Sequence, residues 1–238
     1  MTKIRRSYII RLVFRCLVFI VCLLIFFLRP GELDILQNGN FFRQFSVFHL
    51  LWGIWVADMI MQLVPIKKRV PLGSQKLFRQ RFKPIRNKIN YQALRQYIVS
   101  TTKAAYKVML IWIAFLFILG ILRYKIALSD SILFLISAAF YVFDLICVLI
   151  WCPFRLILHN RCCTTCRIFN WDHLMMFAPM VFVKGIFSIS LLILALVVWF
   201  VWELCVMLYP ERFWEHSNQA LRCSECTEKL CTQCCSTK

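Results

Sequence analysis

The sequence predicts an all-α fold, a polytopic transmembrane helical bundle of about six spans with one leg short enough to be re-entrant, followed by a small cysteine-rich cytosolic tail. Three observations predict it. Hydrophobic residues make up 61% of the 238 positions and the mean hydropathy is +0.70, more apolar surface than a water-soluble core of this length buries. The apolar residues fall in long runs near the ~20 residues that a helix needs to cross a ~30 Å hydrocarbon core. The net charge of +18 lies in the segments between those runs, the distribution the positive-inside rule produces, and a nucleic-acid partner is not expected.

The first span covers residues 8–28, behind Lys3, Arg5 and Arg6. Arg11 and Arg15 lie close enough to its start to snorkel back to the headgroups. The segment mimics a secretory signal, but Arg29, Pro30 and Gly31 follow Leu28 without a small-x-small cleavage site, so an uncleaved signal anchor is expected. An external loop over residues 29–44 balances Glu32 and Asp34 against Arg29 and Arg43, and a second span returns over 45–64. Residues 67–107 carry twelve Lys or Arg and no Asp or Glu, which places the loop 65–107 on the cytosolic side. Phe78, Phe82, Ile85 and Ile89 recur there at helical spacing. They would let one apolar face rest on anionic lipid; a solvated basic loop interrupted by Pro84 is the equal alternative.

A third span is expected over 108–122, an outer turn with Arg123, Lys125 and Asp130, and a fourth span over 131–151. Arg155, Arg161 and Arg167 then mark a second inside loop. The apolar stretch from Asp172 to Tyr209 would measure about 55 Å as one helix, too long for a single crossing. Lys184-Gly185 is the natural break, leaving a short leg over 169–183 and a full leg over 186–209. The division is a bundle over residues 1–209 and a tail over 210–238, with both termini cytosolic in a cell's inner (plasma) membrane.

Nine of thirteen cysteines cluster in two polar segments: Cys152, Cys162, Cys163 and Cys166, then Cys223, Cys226, Cys231, Cys234 and Cys235. On the cytosolic side thiols stay reduced, and CxxC turns aim two thiolates at one tetrahedral ion. The candidate zinc ligands are Cys163, Cys166, Cys223, Cys226, Cys231 and Cys234, with a shared site drawing two from each segment. An iron-sulfur cluster and redox-active thiols are the rival readings of the same spacing, and lipid-modified cysteines without a cofactor a further one.

Three acids lie within apolar spans: Asp58, Asp144 and Glu203. Each falls six or seven residues from the cytosolic end of its span, a common depth of about 9–10 Å. Intramembrane carboxylates must pair, protonate or face a wet cavity, so a shared site facing the bundle interior is expected, against the plain alternative of separate interhelical hydrogen bonds. His49 reads as an interfacial residue, whereas His159, His173 and His216 sit near the cysteines and are candidates to replace a thiolate in a zinc shell, against the plainer reading as polar edge residues. No Ser-His-Asp order, P-loop or HExxH is present, which argues against a standard hydrolase or a nucleotide-driven pump.

Over about its last third the chain resembles an uncharacterised family of multi-pass bacterial membrane proteins with cytosolic cysteine motifs. The residues that carry the resemblance are Trp151-Cys152-Pro153, Asn160-Arg161-Cys162-Cys163, Cys166-Arg167-Ile168, Asn170-Trp171-Asp172 and Thr227-Glu228-Lys229-Leu230-Cys231. Family members carry a histidine just after the last cysteine, where this chain has Gln233 followed by Cys234 and Cys235. The resemblance implies membrane class and a cysteine architecture, and no reaction. The reading is therefore a non-enzymatic membrane protein whose cysteine segments form a zinc-stabilised structural or interaction platform, with anionic lipid at the basic loop 65–107 and a protein partner as the expected contacts. An ion-coupled transporter using the three acids is its first alternative, and a membrane thiol oxidoreductase its second.

Overall fold

The computed structural model describes residues 3–37, 40–43, 45–64, 82–85, 89–158, 166–222 and 224. Among the described residues every regular element is helical, and the one extended pairing is an isolated bridge between Pro84 and Asn218. In chain order the helices are α1 (Lys3–Leu28), α2 (Val47–Leu63), α3 (Tyr91–Ile126), α4 (Asp130–Leu149), α5 (Phe154–Leu158), α6 (Asp172–Phe177) and α7 (Ile186–Leu208). Four of them, α1, α3, α4 and α7, are long and apolar enough to cross a membrane. Helix α2, with 17 residues, is equally apolar but only about 25 Å long.

Local chemistry sets the helix ends. Ser46 starts α2 by accepting a hydrogen bond from the Phe48 N–H, while His49 Nδ1 accepts from the Ser46 N–H at 3.0 Å. With Nδ1 an acceptor, the ring proton sits on Nε2, which donates to the Phe41 carbonyl at 2.6 Å. His49 is thus a capping residue that closes the outer loop. Asn90 caps α3 by accepting from the N–H groups of Gln92 and Ala93, both at 3.1 Å. Ser129 caps α4, and an ion pair between Arg123 and Asp130 clips α3 to α4 at the turn.

Helix α3 differs from the expected third span over 108–122. It runs 36 residues, about 54 Å, and takes in the second half of the basic stretch. No Gly or Pro interrupts it before Gly120, and its basic half is rich in Ala, Leu, Gln, Arg and Lys, all good helix formers. The charge of a segment marks its side of the membrane and leaves its helicity open. Of the stretch expected to carry a lipid-facing apolar stripe, Phe78 lies outside the described residues, and residues 82–85 are not helical. The Lys83 N–H donates to Asn218 Oδ1 at 3.2 Å, the Ile85 N–H to the Ser217 carbonyl at 3.3 Å, and the Gln219 N–H to the Lys83 carbonyl at 2.9 Å.

The long apolar stretch after Asp172 breaks at residues 183–185. Pro179 has no N–H to give the Met175 carbonyl, so α6 stops at Phe177 and tightens into a 3-10 turn over Ala178–Phe182. Gly185 then opens α7. A Cβ on Gly185 would fall 2.1 Å from the Leu36 carbonyl oxygen, so only glycine lets this bend press on the Pro30–Leu36 turn between α1 and α2.

The core centres on Trp55 of α2, which is fully buried. Its ring lies 5.7 Å from that of Tyr141 on α4, 5.1 Å from Phe177 on α6 and 6.2 Å from Phe187 on α7. Half of the most apolar window of α4 is buried, against 6% for α1, so α4 is the inner post and α1 an outer helix laid along it.

Candidate functional site

Arg15 stands about midway along α1 on the face that packs against α4. Its Nη1 donates to Asp144 Oδ2 and to the Tyr141 carbonyl, both at 2.8 Å, and its Nη2 lies 3.7 Å from Asp58 Oδ2. The Tyr141 hydroxyl donates to the same Asp58 oxygen at 3.1 Å, and the guanidinium carbon lies 3.8 Å from the Tyr141 ring centroid. Tyr141 and Asp144 are three residues apart and so share one face of α4. One cation is therefore shared by two carboxylates from different helices. Arg15, expected to snorkel toward the headgroups, is instead turned toward Asp144 and Asp58.

A second acidic pair adjoins it through α2, where Gln62 lies one helical turn beyond Asp58. Gln62 Nε2 donates to Asp172 Oδ2 at 3.2 Å, and the His173 N–H donates to Asp172 Oδ1 at 2.7 Å. His173 Nδ1 lies 2.9 Å from that Oδ1, while Nε2 is buried and makes no hydrogen bond among the described residues. The site thus gathers three carboxylates around one guanidinium and one imidazole.

Asp144 and Asp172 also line a cavity of about 390 Å³. Its wall is otherwise apolar or thiol-bearing, with Trp112, Phe140, Phe143, Trp151, Phe154 and Phe169 supplying aromatic rings and Cys147, Cys152 and Cys166 the sulfurs. Asp144 keeps 18% of its side-chain surface accessible beside that space. At the end of the cavity that follows α4, the Cys147 thiol donates to the Cys152 sulfur. That bond, aided by the N–H groups of Phe154 and Arg155, outweighs burial and brings the Cys152 thiol down to about 6.

Asp58, Asp144 and Glu203 each stand five residues before the last residue of their helices, about 7.5 Å along the axis. The structure brings Asp58 and Asp144 together and sets Glu203 apart. Glu203 is held by Arg167, whose Nε and Nη2 reach its two oxygens at 3.2 and 2.5 Å, and by the Trp171 indole N–H at 2.6 Å. Arg167 Nη1 also donates to Thr102 Oγ1 at 3.2 Å, tying α3 to α7.

Of the candidate metal ligands, Cys166 is described and buried beside Ile168 and Trp171. Cys163, Cys223, Cys226, Cys231 and Cys234 lie outside the described residues, as does His159. Among the described residues no three His, Cys, Asp or Glu side chains are grouped to hold a metal ion. His173 belongs to the acidic cluster, and His216 is exposed, 3.9 Å from Glu215.

Sequence reasoning gave Arg15 to the headgroups and His173 to the cysteines, and passed over Tyr141, Gln62 and Asp172 as site residues. A signal for Arg15 was present: it lies seven residues into the first span, the same depth at which the acids were noticed. Fold and site together define an all-helical protein with four helices suited to crossing a membrane and an ionisable cluster packed among its helices. No known protein family, curated protein or solved structure matches the chain.

Proposed function

We propose that the chain is a multi-pass membrane protein of six crossings in which the cluster around Arg15 exchanges protons with a cation, as an ion-coupled carrier does. The observation that carries this reading is the sharing of one guanidinium by Asp58 and Asp144, with Asp172 beside them and only His173 added on the basic side. Fully ionised, three carboxylates against Arg15 leave an excess negative charge in a low-dielectric bundle, which costs several kcal/mol. Protons or a bound cation relieve that cost. Because either one does so, binding of one favours release of the other, which is the coupling a carrier needs.

Six crossings are supported by the positions of the ends of the broken leg. Arg167, before it, meets Glu203 near the last turns of α7, whereas Gly185, after it, touches Leu36 between α1 and α2. The pairing of residues 82–85 with 217–219 supports a common side for the basic stretch and the tail, the cytosolic side by their charge. Proton uptake tests the carrier reading. Purified protein in lipid nanodiscs, shifted from about pH 9 to 5, should take up at least one proton more than the Asp144→Asn variant. Equal uptake by both would remove Asp144 from any exchange.

A second reading, the zinc platform, is favoured by a separate observation. Cys166 lies in one small pocket with Tyr97 and Phe213, and the Tyr97 ring is 6.0 Å from Trp214, so the first tail residues dock beside the first cysteine segment. A four-thiolate shell from Cys163, Cys166, Cys223 and Cys226 would offset the ordering entropy of the tail. Metal analysis of detergent-purified protein should then give one zinc per chain, lost in Cys226→Ser with the helices intact. Stoichiometric iron would favour the cluster reading, and neither metal would leave the thiols free for redox chemistry.

A further inference from the structure

We propose that the cavity beside α4, α5 and α6 binds an amphiphilic organic cation, its charged centre at Asp144 and Asp172 and its apolar body on the rings of Trp112, Phe140 and Trp151. The inference rests on the charge-exchange reading above and names the cation exchanged. At about 390 Å³ the space is of the size that holds a small organic molecule. Hard divalent ions take six or more oxygens where this wall offers two carboxylates, and among the described residues no three His, Cys, Asp or Glu side chains are grouped to hold a softer ion. An anionic ligand would face both carboxylates. A cation satisfies them, and ring faces attract positive charge through their quadrupoles.

The mouth of the cavity points the same way. Phe143 and Trp151 line it and are 54% and 57% exposed on the outside of the bundle. In a bilayer these faces meet lipid, so a ligand enters after partitioning into the membrane, as amphiphiles do and small hydrated ions do not. Asp144 lines the cavity and keeps 18% of its side-chain surface exposed although it holds Arg15.

Tetraphenylphosphonium, a permanent lipophilic cation, serves as the probe, titrated by equilibrium dialysis onto the full chain in nanodiscs of phosphatidylcholine alone. Triphenylphosphine oxide is its neutral counterpart. The expected result is saturable binding of about one cation per chain, with the neutral molecule failing to compete, and affinity falling roughly ten-fold or more in Asp144→Asn. Because that substitution also loosens Arg15, a second variant, Cys147→Phe, narrows the cavity without touching the ion pair and should weaken binding to a similar extent. Absence of saturable cation binding overturns the inference, as does equal competition by the neutral molecule, which would make the cavity a slot for lipid chains. Unchanged affinity in Cys147→Phe also overturns it. Proton uptake measured on the same samples separates the two claims: uptake without cation binding removes only this ligand, whereas loss of both removes the carrier reading as well.

Discussion

Two arginines meet carboxylates inside this bundle, and they do so in different ways. Arg167 and Glu203 form a one-to-one pair in which both oxygens and three guanidinium nitrogens are engaged, Trp171 and Thr102 completing the set. Arg15 instead divides its charge between Asp144 at 2.8 Å and Asp58 at 3.7 Å, beside a cavity, with a third acid nearby. The first arrangement is closed and charge-balanced; it fixes the loop after α5 to α3 and α7. The second is open and short of positive charge. The chemistry of the partners is the same, so the balance of charges and the access to space separate a fastener from a site.

Mutations sharpen that comparison. Arg167→Ala leaves Glu203 buried without its cation, and breaking a buried pair in this way costs about 3–5 kcal/mol. It should appear as a larger loss of thermal stability in detergent than the loss of either aspartate's contact to Arg15. Asp58→Asn, at a longer and more exposed contact, should cost under about 1 kcal/mol, because Arg15 keeps Asp144 and Tyr141. If the two variants melted alike, the division into fastener and site would lose its basis.

A smaller effect is expected at the cavity's rim. The Cys152 thiol at about 6 lies below an ordinary thiol, so its thiolate is half formed near that pH and complete by about pH 8. Since the folded form holds the thiolate more favourably than an unfolded chain, this stabilisation is present at alkaline pH and lost as pH falls through about 6. Alkylation by an uncharged, membrane-soluble maleimide should show a half-point near pH 6 at Cys152. Cys147→Ser alters the hydroxyl-for-thiol donor and should move that half-point, whereas an unmoved half-point would mean that Cys147 does not set it.

Much of the architecture was legible because hydropathy and hinge chemistry are local. The long apolar helices follow from composition alone, and Lys184-Gly185 marked the break before α7. The length of α3 was hidden because basic charge over residues 91–107 reads as loop while its residues favour helix. Within the site, Asp58 and Asp144 were noticed by their depth, but their partner was not, because Arg15 sits near enough to the chain's basic start to be assigned to the headgroups. Asp172 and His173 carry no spacing that ties them to Gln62, 110 positions away; only the return of the broken leg beside α2 brings them together. Glu203 shared the depth of the other acids and faces a different neighbour, which depth counted along a helix does not reveal.

The most direct test compares the two acids by infrared titration of the protein in lipid, following the carbonyl stretch of protonated carboxylic acids as pH is varied. The wild type should show such a band, responding to pH. Asp144→Asn should remove or shift it, and Glu203→Gln should leave it in place, since both Glu203 oxygens are already engaged by the Arg167 guanidinium, away from the cavity. A titrating band that vanishes in Glu203→Gln and survives in Asp144→Asn would contradict the account and exchange the roles of the two arginine sites.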